Sequence, residues 1–215
     1  WSDRPIQDCQ ELLEHLPPQL FRIEPHPYAL VGAPYGPGKD PFRLRSGVVR
    51  RLLQAQDQLR HRAPALQFAI FDAWRPISVQ AFMVNYTIDQ LCRERGVDRH
   101  DPAQTADLHE VESEVGRFWA PPSQNPQTPP PHSTGAAVDL TLATDAGSLL
   151  QMGGAIDAIG AVSEPDYFAN ATDPSEQGFH QRRELLLTVM ASAGFAQHPN
   201  EWWHYSYGDQ LWAWR

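Results

Sequence analysis

Proline does more than any other residue to limit how this chain can fold. Twenty of its 215 residues are proline, and each fixes φ and removes a backbone donor. Pro17, Pro18, Pro25, Pro27, Pro34, Pro37 and Pro41 crowd the N-terminal stretch 1–45. That stretch reads as an irregular wrap over the core, with one short helix at Asp8–His15. Six more prolines fall in the eleven positions 121–131, PPSQNPQTPPP. Neither side of this segment is a convincing independent core, so it reads as an extended surface loop and not as a linker. With seven tryptophans added, the chain is expected to be loop-rich with built surfaces, not a helical bundle.

Between the prolines the apolar spacing defines a few elements. Ser46–Arg60 reads as a helix, capped by Ser46, with Val49, Leu52, Leu53 and Leu59 as its stripe. Leu66–Phe71 is short, apolar and bounded by Pro64 and Asp72-Ala73-Trp74-Arg75-Pro76, the pattern of a buried strand running into a turn. Pro76 suits the first position of the next helix, which Val79, Phe82, Met83 and Tyr86 continue and Gly96 ends. Leu108, Val111 and Val115 predict another helix. Gly135–Leu142 alternates, with Ala136, Val138, Leu140 and Leu142 on one side, and reads as a half-buried strand. Glu176–Ser192 reads as a helix stopped by Gly194, and Glu201–Tyr207 as a final strand. Helices precede and separate a few strands without regular βα alternation, so the fold class is α+β. One domain is expected over 1–215: a wrap and first helix over 1–65, and a core over 66–215.

Charge removes several classes of function. Seventeen Lys+Arg against 26 Asp+Glu leave a net charge of −9. No basic field exists to displace counterions from nucleic acid or to hold an anionic membrane surface. The longest apolar stretches, such as Phe68-Ala69-Ile70-Phe71, are far too short to span a bilayer. Cys9 and Cys92 read as two free thiols, although an oxidising compartment would allow one bridge. No n-region or h-region of a signal peptide is visible, and a cytoplasmic location is expected over a periplasmic one.

Two local patterns carry chemistry. In His132-Ser-Thr-Gly-Ala-Ala-Val-Asp139 a histidine stands at the mouth of a strand and an aspartate on the strand face opposite the apolar one. In Glu201-Trp-Trp-His204 a carboxylate precedes a second histidine by three residues. Two imidazoles and one carboxylate make a three-ligand zinc site with an open position for water, and leave Glu201 free to act on that water. Residues three apart on a strict strand face opposite ways, so Glu201 is expected where loop becomes strand. The other histidines (His15, His26, His61, His100, His109, His180 and His198) read as solvated or packed side chains.

With these residues in view, the chain resembles the zinc D-Ala-D-Ala dipeptidases of the vancomycin-resistance type, within the D,D-peptidases that share the hedgehog-like fold. The likeness rests on Phe71-Asp72-Ala73-Trp74-Arg75-Pro76, on His132-x6-Asp139 with Leu140-Thr141-Leu142, on Met152-Gly153, on Gln181 through Gly194-Phe195, and on Glu201-Trp202-Trp203-His204-Tyr205. It covers roughly residues 66–207 in register. It implies a small central antiparallel sheet flanked by helices and one zinc ion per chain, with His132, Asp139 and His204 as ligands. It further implies Glu201 as general base, Arg75 as transition-state stabiliser, and Asp157 beside the substrate's free amino group. One position departs: Pro130 stands where the family usually carries a serine whose hydroxyl helps hold the substrate carboxylate.

The implied reaction is hydrolysis of D-Ala-D-Ala, or a related D-containing dipeptide, by a zinc-bound water. Zinc brings the pKa of such a water to about 7. For Arg75 the alternative is a structural ion pair, for instance with Asp72. For the function, the alternatives are a D,D-carboxypeptidase trimming longer cell-wall peptides and a non-catalytic zinc-binding hedgehog-like module. Asp157 favours the dipeptidase, since a free amino terminus needs a counter-charge. Retention of both Glu201 and Arg75 argues against the non-catalytic module.

Overall fold

The computed structural model describes residues 1–215. The N-terminal wrap contributes four short elements: strands β1 (Leu13–His15) and β2 (Phe21–Arg22), the one-turn helix α1 (Pro27–Leu30) and strand β3 (Arg43–Arg45). The helix expected at Asp8–His15 is not formed. Leu13, Glu14 and His15 instead pair antiparallel with Arg45, Leu44 and Arg43 in a separate ribbon. That ladder satisfies the local backbone and carries Glu11 to the start of helix α2 (Ser46–Arg62), where its carboxylate accepts the Gly47 N–H at 2.6 Å. Ser46, the expected cap, makes no capping bond. An acid from a neighbouring element does that work, favoured by the positive end of the helix dipole.

Strand β4 (Leu66–Asp72) follows, then the turn 73–76 and helix α3 (Ile77–Arg95). Pro76 is the N-cap, one residue earlier than read, and Gly96 ends the helix in the left-handed conformation at φ 68°. Helix α4 (Thr105–Val115), strand β5 (Ala137–Thr144), helix α5 (Pro174–Ser192) and strands β6 (Ala196–Gln197) and β7 (His204–Ser206) come next. A last helix, α6 (Gln210–Trp214), was not expected from the sequence. It begins where Asp209 accepts the Trp212 N–H at 3.0 Å. The terminal strand is correspondingly shorter than read, and Glu201 lies in the bend before it, as expected.

The main sheet has the order β2-β4-β5-β7-β6. Its pairs are antiparallel except β2 with β4, which run parallel. The fold is thus α+β, with a small, mainly antiparallel sheet. The central strand β5 is buried along almost its whole length and on both faces, not half-buried. Val138, Leu140 and Leu142 enter a core shared with Leu52 and Leu59 of α2 and Leu186 and Val189 of α5. Asp139 and Thr141 point the other way.

A second apolar cluster, with Val79 and Met83 of α3, Val111 and Val115 of α4, Tyr28 and Trp119, lies apart from the first. Trp203 of the first cluster and Trp119 of the second both line one cavity of about 180 Å³. Both thiols are free, Cys9 exposed and Cys92 buried. No helix is long and apolar enough to cross a membrane.

Candidate active site and metal centre

Strand register assembles the polar centre. Asp72 on β4 pairs with Asp139 on β5, past a bulge after Ile70, and Asp139 pairs with His204 on β7. Three polar residues therefore lie in a row across the middle of the sheet. His132 reaches the same point from a short 3-10 turn (Pro131–Thr134) just before β5. Gly135 ends that turn at φ 73°, in the left-handed region that glycine enters at least cost.

Hydrogen bonds on the outer sides of the two imidazoles set their tautomers. His132 Nδ1–H donates to the Ala73 carbonyl at 2.7 Å, which leaves the Nε2 lone pair facing inward. His204 Nε2–H donates to Ser206 Oγ at 3.3 Å, and that hydroxyl donates to Asp209 at 2.7 Å. His204 Nδ1 is thereby turned inward as well. The inward nitrogens are 3.2 Å apart. Asp139 Oδ2 is 3.2 Å from His132 Nε2, and Asp139 Oδ1 is 3.0 Å from His204 Nδ1. One ligand atom from each residue lies within 4.8 Å of the others, and all three residues are buried. Inward-facing lone pairs from two imidazoles and a carboxylate repel one another unless a cation lies between them. Nitrogen and oxygen donors held by outer partners are what zinc requires, so the residues fit this metal.

Arg75 is buried beside this centre. Its Nε donates to Asp72 at 2.9 Å, Nη1 to Gln80 at 2.8 Å, and Nη2 to Tyr28 Oη at 3.1 Å and Asp139 at 3.3 Å. Its guanidinium also stacks 4.9 Å from the Trp119 ring centroid. The ion pair with Asp72 weighed in the sequence is present, and the same side chain also lines the cavity. Asp72 accepts from His26 and Tyr35 as well. Burial opposes its charge, yet Arg75 and the His26 hydrogen bond hold its carboxyl well below the usual range.

Glu201 is buried on the other flank. Its oxygens stand 3.6 Å from His204 Nδ1 and 3.8 Å from His198 Nδ1, beyond hydrogen-bond range. Burial first, then the charges of Asp139 and Asp157, push its pKa up against the opposing pull of Arg75. Asp157 is half-buried and accepts the Tyr28 hydroxyl at 2.9 Å. Its backbone is left-handed at φ 66°, unusual for a non-glycine residue. Burial and then the Asp139 charge raise its pKa to about 7.

All six residues singled out from the sequence therefore line one cavity. Pro121 and Pro131, the two ends of the proline-rich segment, line it too. Sequence reasoning missed Tyr28, which joins Arg75 to Asp157, and Gln80. It placed His198 among packed or solvated histidines, yet His198 lines the cavity with its ring edge-on to His204. Tyr28 comes from a segment with no periodicity to mark it. His198 had one available signal, its position three residues before Glu201.

Comparison with known proteins gives one consistent result. The family model described as D-ala-D-ala dipeptidase matches residues 22–215. A D-alanyl-D-alanine dipeptidase of Synechocystis sp. is 45% identical over 220 residues, 98% of this chain and 87% of that protein. A D-alanyl-D-alanine dipeptidase of Escherichia coli is 32% identical over 141 residues, 65% of this chain and 54% of that protein. Two solved structures share the fold at 16% identity. VanYB in complex with D-alanine-D-alanine has a TM-score of 0.52 and covers 95% of this chain and 82% of its own. The vancomycin resistance D,D-pentapeptidase VanY in complex with Zn(II) has a TM-score of 0.51, with 95% and 83% covered.

Proposed function

The chain belongs to the D-Ala-D-Ala dipeptidase family, and from that premise we propose how its own residues carry out the reaction. It is a zinc-dependent hydrolase of D-Ala-D-Ala. The observation that carries the assignment of ligands is the inward-facing donor atoms of His132, Asp139 and His204, backed from outside by the Ala73 carbonyl, Arg75 and Ser206 respectively. Zinc bound among them supplies Lewis acidity, which makes water a nucleophile at neutral pH and polarises the scissile carbonyl.

Glu201 takes a proton from the attacking water. The water oxygen bonds to the carbonyl carbon, the C–N bond breaks, and Glu201 returns the proton to the leaving D-Ala amine. Its enclosed position raises its pKa and so makes it a stronger base for the first half of that transfer. Negative charge grows on the carbonyl oxygen as the bond forms. Arg75 is aimed by Asp72, Gln80 and Tyr28, so it meets that charge without reorganising. Asp157 takes the substrate's ammonium, with the Tyr28 hydroxyl fixing its carboxylate. Trp119 and Trp203 wall the cavity.

Metal analysis tests the ligand set. The wild-type protein should carry one zinc per chain. His132→Ala and His204→Ala should carry little, because removing one of three ligands abolishes tight binding. Near-full occupancy in both variants would refute the assignment.

A further inference from the structure

The cavity is poorly equipped for one end of a dipeptide. Asp139, Asp157 and Glu201 already bring three carboxylates to it, and the substrate's C-terminus brings another. A carboxylate taken from water without a partner costs several kcal/mol. Two guanidiniums line the cavity, Arg75 and Arg117. Arg75 already donates to Asp72, Gln80, Tyr28 and Asp139 and is assigned to the charge that grows on the scissile carbonyl oxygen. Each side-chain amide already spends a donor, Gln80 Nε2 on Ala120 O at 2.7 Å and Asn200 Nδ2 on Arg117 O at 3.2 Å, and Ser2 brings only a neutral hydroxyl. Pro129-Pro130-Pro131, which leads into His132, has neither a backbone N–H nor a hydroxyl to offer an anion.

Arg117 is different. It follows Gly116 at the end of α4, and the turn bonds Arg117 N to Glu114 O, Phe118 N to Val115 O and Trp119 N to Val115 O hold its backbone. The Asn200 bond ties that backbone to the bend carrying Glu201. Its side chain is exposed, its guanidinium lies over the Phe118 ring at 5.7 Å, and its one ionic contact is a loose 3.8 Å approach to Glu164. A fixed backbone with a guanidinium that stacks on Phe118 and has no close carboxylate partner, at the cavity wall, suits paired recognition of a carboxylate. We propose that Arg117 binds the C-terminal carboxylate of the dipeptide and makes a free carboxylate a requirement of the site. This rests on the dipeptidase reading and supplies the specificity determinant for the end opposite the ammonium held by Asp157.

The test is steady-state kinetics of the zinc-loaded protein on D-Ala-D-Ala and on its C-terminal amide, with zinc content as a control. Arg117→Ala should raise KM for D-Ala-D-Ala by about 10- to 100-fold and leave kcat within about threefold, the pattern of lost ground-state binding. Arg117→Lys should recover part of the loss. On the amide, the wild-type and Arg117→Ala proteins should have the same KM. An unchanged KM for D-Ala-D-Ala in Arg117→Ala overturns the proposal, and so does an equal rise for acid and amide, which would mark a structural effect. Calorimetric binding of D-Ala-D-Ala to Glu201→Ala, with and without Arg117→Ala, separates this inference from the reading beneath it. Binding weakened about tenfold by Arg117→Ala supports Arg117 even if the wild type proves inactive, and equal binding overturns it.

Discussion

Both histidines of the centre are held by partners that do no chemistry themselves, the Ala73 carbonyl and Ser206, and such partners are where single substitutions should be most informative. Glu201 has no such partner, because its buried carboxylate lies beyond hydrogen-bond range of His198 and His204. Glu201→Ala should therefore keep its zinc and its thermal midpoint while kcat falls by at least about 10²-fold. More than a tenth of native kcat would exclude it as the essential base. Ser206 never reaches the metal, yet its hydroxyl relays His204 to Asp209. Ser206→Ala should weaken zinc binding by roughly 10- to 100-fold in a chelator competition. Unchanged affinity would mean that the relay does not set the tautomer. Arg75 pairs with an aspartate that is wholly buried, so Arg75→Ala leaves that charge alone and should cost roughly 3–5 kcal/mol of stability. Arg75→Lys keeps the charge but loses the fork. It should stay folded with kcat lowered more than KM is raised, and a change confined to KM would place Arg75 in substrate binding instead.

At the scale of elements, the site depends on register and on one glycine. The loop after Met152 turns at Gly153, with φ 84°. A Cβ there would lie 2.3 Å from Phe168 and 2.7 Å from Phe179. Phe168 is buried and carries the Arg183 guanidinium at 4.9 Å, so it has little room to yield. Gly153→Ala should cost about 1–3 kcal/mol and, by shifting Asp157, raise KM for the dipeptide. Unaltered stability and KM would show that the loop tolerates the change. The same elements show how far the sequence could be read. Strand alternation set Asp139 on the face opposite the apolar one, but Glu-x-x-His is common by chance, and the ligand set with His132 and His204 came from the family resemblance. The α2, α3, α4 and α5 helices were legible from their apolar spacing. The β1–β3 ribbon was not, because a three-residue strand whose outer positions face solvent has no period to read. Glu11 capping α2, and Tyr28 bridging Arg75 to Asp157, are long-range contacts made by an aperiodic segment. The burial of both faces of β5 follows from what the loops cover, which strand alternation alone does not encode.

For the molecule as a whole, the metal is part of the fold's stability. Two apolar cores meet at a polar cavity whose inward donors repel one another without a cation. Zinc at a hundredfold excess over its dissociation constant should stabilise the protein by about 2.7 kcal/mol, or raise Tm by roughly 5–10 °C for a chain of this size. A Tm indifferent to chelation would contradict a zinc site in the folded state. The proposed role of Asp157 as counter-charge to the ammonium of a free dipeptide decides what length of substrate the site takes. Its most direct test is the rate of D-Ala release by the zinc-loaded protein from D-Ala-D-Ala and from acetyl-D-Ala-D-Ala, side by side. Rapid cleavage of the free dipeptide and poor cleavage of the acetylated one are expected, with Asp157→Asn narrowing the gap. Equal rates on both substrates would contradict it and point to a carboxypeptidase.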